Sequence, residues 1–168
     1  MSSFIFDFAS PPHGSFNKTA AGFLVTAKEK TFPPLANIPI SLAVNNLGPC
    51  GMIQPHFHPR ASEFAVVVKG RLVTNYIAET GAVMVENTLN TFQATLFPRG
   101  AIHASFNPDC TEAVSVSGFT SNGTGIQFVA QGFLGMDSRL VLGTLGWLVD
   151  NDELEDLMPA NPNPGESV

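Results

Sequence analysis

Three of the chain's four histidines fall within two short segments, PHFHPRASE at 55–63 and PRGAIHASFN at 98–107. His56 and His58 alternate, so on a β-strand both imidazoles point to one face and can reach a common point. Glu63 follows His58 at an odd spacing, which on an unbroken strand would turn it to the opposite face; Pro59 breaks the strand and lets Glu63 begin a new one pointing inward. His103 completes the set from a strand distant in sequence. Three neutral imidazole nitrogens and one carboxylate oxygen form a borderline-to-hard donor set that leaves positions open on an octahedral divalent ion. Manganese fits that set best and iron(II) next, while zinc, nickel and copper also accept such donors. An open position lets water, dioxygen or a carboxylate substrate bind and be polarised. Glu63 is then a candidate catalytic proton acceptor as well as a ligand. Any one of these histidines alone reads as an ordinary surface or hydrogen-bonded residue; the four residues together, in a β context, point to a metal. His13 sits in a Pro-rich stretch outside the pattern.

The elements that must position this quartet are short strands. With 15 Gly, 13 Pro and only 13% charged residues, the composition favours strands joined by turns. Eight β-type runs follow one another: ISLAV (40–44), MIQPHFH (52–58), EFAVVV (63–68), RLVTNYI (71–77), FQATLF (92–97), HASF (103–106), EAVSVSGF (112–119) and GIQFVAQ (125–131). They predict an all-β sandwich or barrel of jelly-roll character, and a length of 168 residues suits one domain. Residues 1–35 read as an extended N-terminal arm with one strand at 22–26, residues 36–135 as the barrel, and 136–158 as a C-terminal helical hairpin. In that hairpin Asp137 caps a helix over Arg139 to Leu148, and Asp150 with Glu153 caps another over Asn151 to Met158. Its apolar residues Leu140, Val141, Leu142, Leu145, Trp147 and Leu148 cover more than one helix face, which predicts a homo-oligomer, a dimer or larger. The Pro- and Asn-rich segment 159–168 reads as a disordered tail.

A formal charge of −6, with eight Lys and Arg scattered along the chain, predicts no nucleic-acid partner. No apolar run approaches the roughly 20 residues of a membrane-spanning helix, so no membrane partner is expected. The start MSSFIFDFAS lacks a basic, then apolar leader, although the sequons at Asn17 and Asn122 suit a chain whose signal peptide has been removed. Cys50 lies shortly before the first histidine cluster and Cys110 shortly after the second. If those clusters occupy neighbouring antiparallel strands, the cysteines come together and a disulfide is plausible, with two small buried thiols as the alternative. A bridge would favour an oxidising, extracellular compartment.

CGMIQPHFHPRASEFAVVVKG (50–70) resembles the first cupin motif, G-x5-H-x-H-x4-E-x6-G, and FPRGAIHASFN (97–107) resembles the second, P-x-G-x2-H-x3-N. GPCG (48–51) and NPDCT (107–111) are similar to the spherulin-like members of the germin group. The resemblance implies a cupin jelly-roll β-barrel, manganese bound by His56, His58, Glu63 and His103, a turn or strand-end role for Asn107, dimers through barrel edges with larger rings through the C-terminal helices, and secretion. The glycine that opens the first motif falls on Cys50, and that of the second on Phe92. Ile53 stands where germin-type oxalate oxidases carry an asparagine beside the substrate, and the single-domain length departs from the two-domain oxalate decarboxylases; both weigh against oxalate.

Ile53, Phe97, Ile102 and Ser105 are the expected lining of a mostly apolar substrate pocket, with barrel core as the alternative use of those positions. Such a pocket suits a small organic molecule that chelates the metal. Three functions are compatible with this reading: a manganese- or iron-dependent oxidoreductase acting on oxygen species or a small organic acid, which is favoured; a Lewis-acid isomerase, cyclase, dehydratase or decarboxylase of a metabolite pathway; and a non-catalytic stress or wall protein of spherulin type.

Overall fold

β-branched, aromatic and other apolar residues fill the β-type runs. In the computed structural model of the chain, which describes residues 4–19, 21–146 and 148–157, those runs assemble into two sheets with every strand pairing antiparallel. The strands are β1 (Phe16–Thr19), β2 (Gly22–Ala27), β3 (Ser41–Leu47), β4 (Met52–Phe57), β5 (Glu63–Lys69), β6 (Arg71–Ile77), β7 (Val85–Asn90), β8 (Ala94–Phe97), β9 (Ile102–Phe106), β10 (Ala113–Phe119) and β11 (Gln127–Phe128). One sheet runs β1-β2-β3-β10-β5-β8 and the other β11-β4-β9-β6-β7. This is the jelly-roll barrel of the cupin fold.

Between the sheets, Leu47, Val67, Leu72, Leu89 and Ala113 form one buried cluster, with Ile53 packed against it. Ala43, Ala61 and Phe119 form a second, against Leu24. Each large apolar side chain so buried stabilises the barrel by roughly 1.5–3 kcal/mol. The β5–β6 turn needs Gly70: its φ is 73°, and a Cβ there would lie 2.9 Å from the Glu112 carbonyl oxygen. Cys50 and Phe92, which replace the two motif-opening glycines, keep a left-handed backbone at φ 56° and 67°.

Several elements differ from the sequence reading. The N-terminal segment is more than an arm: β2 pairs with β3 from Gly22↔Leu47 to Ala27↔Leu42, and β1 extends the sheet beyond it. Strand β7 has no counterpart among the expected runs, because only Leu89 of VENTLN is buried and the period-two signal is absent. GIQFVAQ yields just the two residues of β11 before turning into helix α1 (Val129–Leu134), whose Phe133 and Leu134 pack toward Val141, Leu142 and Leu154. The next helix, α2 (Ser138–Thr144), is capped as expected by Asp137, whose carboxylate accepts from the Arg139 N–H at 3.0 Å, but it stops earlier, ahead of the left-handed Gly146 at φ 67°. Helix α3 (Asn151–Leu157) carries the expected reciprocal cap, Glu153 N–H to Asp150 Oδ1 at 2.9 Å and Asp150 N–H to Glu153 Oε2 at 3.0 Å. Trp147, Met158 and the segment read as a disordered tail lie outside the described residues. Among the described residues no helix is long and apolar enough to cross a membrane.

The cysteine expectation is corrected on both counts: Cys50 and Cys110 are free thiols, and both are exposed. Their segments do meet, since the Cys50 N–H donates to the Asp109 carbonyl at 3.4 Å. Backbone adjacency alone does not set the Cβ directions that a bridge requires.

Candidate metal centre

His56 lies on β4 in register with His103 on β9, and their ring centroids are 4.2 Å apart. The register slips between Ile53 and His56, so both of these turn inward despite their odd spacing. His58 follows the end of β4 directly, and after the break at Pro59 the chain re-enters the six-stranded sheet at Glu63, the first residue of β5. Glu63 is there flanked by Phe97 of β8 and Phe119 of β10. The four ligand atoms lie within 4.8 Å of one another, and no residue of the quartet is more than 8% exposed.

Hydrogen bonds aim this set. His56 Nδ1 meets the Gln54 carbonyl at 2.7 Å, His58 Nδ1 the Gly125 carbonyl at 2.6 Å, and His103 Nδ1 the Ala101 carbonyl at 2.9 Å. A carbonyl only accepts, so each Nδ1 carries a proton and each Nε2 is left for the centre. Glu63 Oε2 lies 3.1 Å from His58 Nε2 and 3.2 Å from His103 Nε2. Nitrogen and oxygen acceptor atoms converging in a buried space need protons or a cation between them, and a divalent ion satisfies them together. In the metal-free protein burial pushes the Glu63 carboxyl up, but the polar groups of His103, His58 and Ser117 around it outweigh that and hold it well below the usual carboxylate range. Burial, with the neighbouring His103, pushes His56 down to about 4, which keeps that imidazole neutral and able to ligate. The residues present therefore fit a divalent metal.

An aromatic shell surrounds the quartet. Phe97 stacks on His103 at 4.3 Å with 11° between planes, Phe119 meets His58 edge-on at 5.0 Å, and Phe128 tilts against His56 at 5.8 Å. Beside this shell, on the inward face of β3 and β10, the interior is polar. Asn45 Nδ2 donates to Ser115 Oγ at 3.3 Å and Ser117 Oγ at 3.2 Å, all three residues being buried.

The Cupin family profile matches residues 6–145 of the sequence. The chain is a cupin. It is a germin- and spherulin-like one, 32% identical over 161 residues to Spherulin-1B of Physarum polycephalum, covering 95% of this chain and 64% of that protein. It is also 31% identical over 128 residues to Germin-like protein 1 of Brassica napus, covering 76% of this chain and 60% of the relative. The chain thus spans somewhat less than two thirds of these relatives' lengths. Among solved structures it is similar to recombinant oxalate oxidase in complex with glycolate, at a TM-score of 0.77 and 26% identity over 89% of this chain and 78% of that one. A mutant of Bacillus subtilis oxalate decarboxylase shares the fold at a TM-score of 0.77 and 17% identity, over 89% of this chain and 38% of that one.

Of the residues expected to line a substrate pocket in this cupin, Phe97 faces the quartet directly. Ile53 packs inward against the Leu47–Val67 cluster, and Ser105 faces it in register on β9. Ile102 departs from the expectation: next to the inward His103 it turns outward by the period of two and is 38% exposed. Asn107 is buried at the end of β9, its Nδ2 donating to the carbonyls of Leu47, Gly48 and Thr111 at 3.2, 2.9 and 2.6 Å. Asn45 and Ser117 were not singled out from the sequence. The signal lay in EAVSVSGF, where the serines share a parity with Phe119 and so face inward with it.

Proposed function

We propose that the chain is a metal-dependent cupin oxidoreductase whose quartet binds manganese, or iron in its place, and which acts on oxygen species or a small organic acid. The observation that carries this reading is the convergence of His56, His58, Glu63 and His103 ligand atoms within 4.8 Å in a buried space. The bound ion would supply Lewis acidity and, as manganese or iron, a redox couple. The chain's own residues do the rest. Carbonyl acceptors fix the three imidazoles in the Nδ1–H form, Phe128, Phe119 and Phe97 pack against the rings of His56, His58 and His103, and Ser117 supports the Glu63 carboxylate. Glu63 is the proposed catalytic proton acceptor. To accept a proton its carboxylate would first have to release the ion.

The likeness to oxalate oxidase supports a small acid, whereas Ile53, standing where the resemblance to germin-type oxalate oxidases implies an asparagine, weighs against oxalate itself. The spherulin likeness, over 95% of this chain, favours a second reading, a metal-binding protein without turnover. We also propose self-association into at least a dimer, supported by the outer face of the six-stranded sheet, where Phe64 is 58% and Leu96 54% exposed. Light scattering at micromolar concentration tests it, and a monomer would remove it.

The test of the main reading is elemental analysis with electron paramagnetic resonance, run beside His103→Ala. Stoichiometric manganese or iron in the parent and its loss in the variant is the expected result; negligible metal in both would overturn the enzyme reading. Metal without turnover of superoxide or small carboxylic acids would favour the second.

A further inference from the structure

The chain's eight Lys and Arg look scattered in the sequence, but the fold gathers three of them. Lys28 and Lys30 follow β2, and Arg60 lies in the turn between His58 and Glu63. Together they wall a cavity of about 500 Å³ that has His58 on its lining. Among the described residues none of the three has an acidic partner at ion-pair distance, whereas Lys69, Arg71 and Arg139 do. The one carboxylate on the wall, Glu29, accepts from Asn122 Nδ2 at 2.8 Å. Leu24 and Ile126 supply apolar surface beside the charges.

We propose that this cavity is a binding vestibule for an organic carboxylate with an apolar body, larger than a two-carbon diacid. An excess of unpaired cations in a concave wall, on a chain of net charge −6, is a local attraction for anions against a repulsive background. The volume lies within the range of about 300–1,000 Å³ typical of drug-sized ligands and exceeds what a two-carbon diacid would fill. The vestibule is also wired to the quartet. Arg60 Nε donates to the Gly123 carbonyl at 2.6 Å, its guanidinium lies so close over Gly125 that a Cβ there would sit 3.0 Å from both terminal nitrogens, and the Gly125 carbonyl holds His58 Nδ1. A carboxylate seated on Arg60 therefore loads the same loop that orients a proposed metal ligand. This inference rests on the metal reading for that coupling and on the basic wall for binding.

Isothermal titration calorimetry with 4-phenylbutyrate, 4-phenylbutanamide and oxalate on the full chain, with metal content measured on the same samples, tests it. The acid should bind more tightly than its amide or oxalate and weaken as salt is raised. Lys28→Gln with Lys30→Gln should lower its affinity about tenfold. Glu29→Gln should raise it, an effect that misfolding would not mimic. Equal binding of acid and amide, or an unchanged affinity in the double lysine variant, would overturn the vestibule. Metal without acid binding removes the vestibule and leaves the metal function standing; charge-dependent acid binding without metal does the reverse.

Discussion

Phe97 lies nearly parallel to His103, ring centroids 4.3 Å apart, while its backbone pairs with Glu63 on the neighbouring strand. One buried aromatic thus supports two members of the quartet from different sheets. Phe97→Ala should cost about 3–5 kcal/mol by the usual penalty for emptying a buried aromatic site. Urea denaturation of the metal-free protein measures it, and a loss near zero would mean that the ring is not packed as described.

Ser117 is the test of whether the polar side of the interior serves the metal. Its hydroxyl contributes to holding the Glu63 carboxyl below the usual range, and Asn45 Nδ2 donates to the serine oxygen at 3.2 Å, which leaves the hydroxyl hydrogen free to serve the carboxylate. Ser117→Ala should weaken metal affinity about 10- to 100-fold, the range for residues that orient a ligand without touching the ion. Asn45→Ala should move affinity in the same direction by less. Competition with a chelator reads both, and unchanged affinity in Ser117→Ala would show that Glu63 needs no such support.

Acid should destabilise the metal-free protein in a defined window. His56 is lowered from 6.5 to about 4 by burial and by His103. As pH falls through 6.5, the unfolded chain takes up the proton and the folded one does not, so stability declines until pH reaches about 4. The loss attributable to His56 is on the order of 3 kcal/mol. Glu63, held below the ordinary carboxylate range, contributes stability above its unfolded pKa that is lost only at still lower pH. Denaturation midpoints measured across the window should fall steadily on acidification; a flat profile would contradict the buried, neutral His56.

Three members of the quartet were legible because their logic is local, alternation placing His56 and His58 together and one proline re-aiming Glu63, while His103 on the distant β9 was legible from its own short segment. The polar interior was harder to see. In EAVSVSGF the valines look like the core face, yet Val114 and Val116 are only half-buried while Ser115 and Ser117 are buried, because Phe119 and the Glu63 pairing set the register of β10. Strand β7 shows too little apolar alternation to read. The basic cavity is invisible in one dimension, since Arg60 joins the two lysines only when the turn after His58 folds against the end of β2.

One departure from the motif glycines, Phe92, makes a last prediction. Phe92 keeps the left-handed backbone, φ 67°, of the glycine it replaces, and at 83% exposed its ring gains little from burial. A side chain in that conformation costs roughly 1–2 kcal/mol, against about 0.5–1 kcal/mol for the extra freedom a glycine loses on folding. Phe92→Gly should therefore be stabilising, raising Tm by about 1–4 °C. Gly70→Ala must do the opposite, because its Cβ would strike the Glu112 carbonyl. A thermal melt of the two variants compares them directly. If Phe92→Gly lowers Tm, the exposed ring has a contact in solution that outweighs its strain, and the dimer proposed above is the first place to look for it.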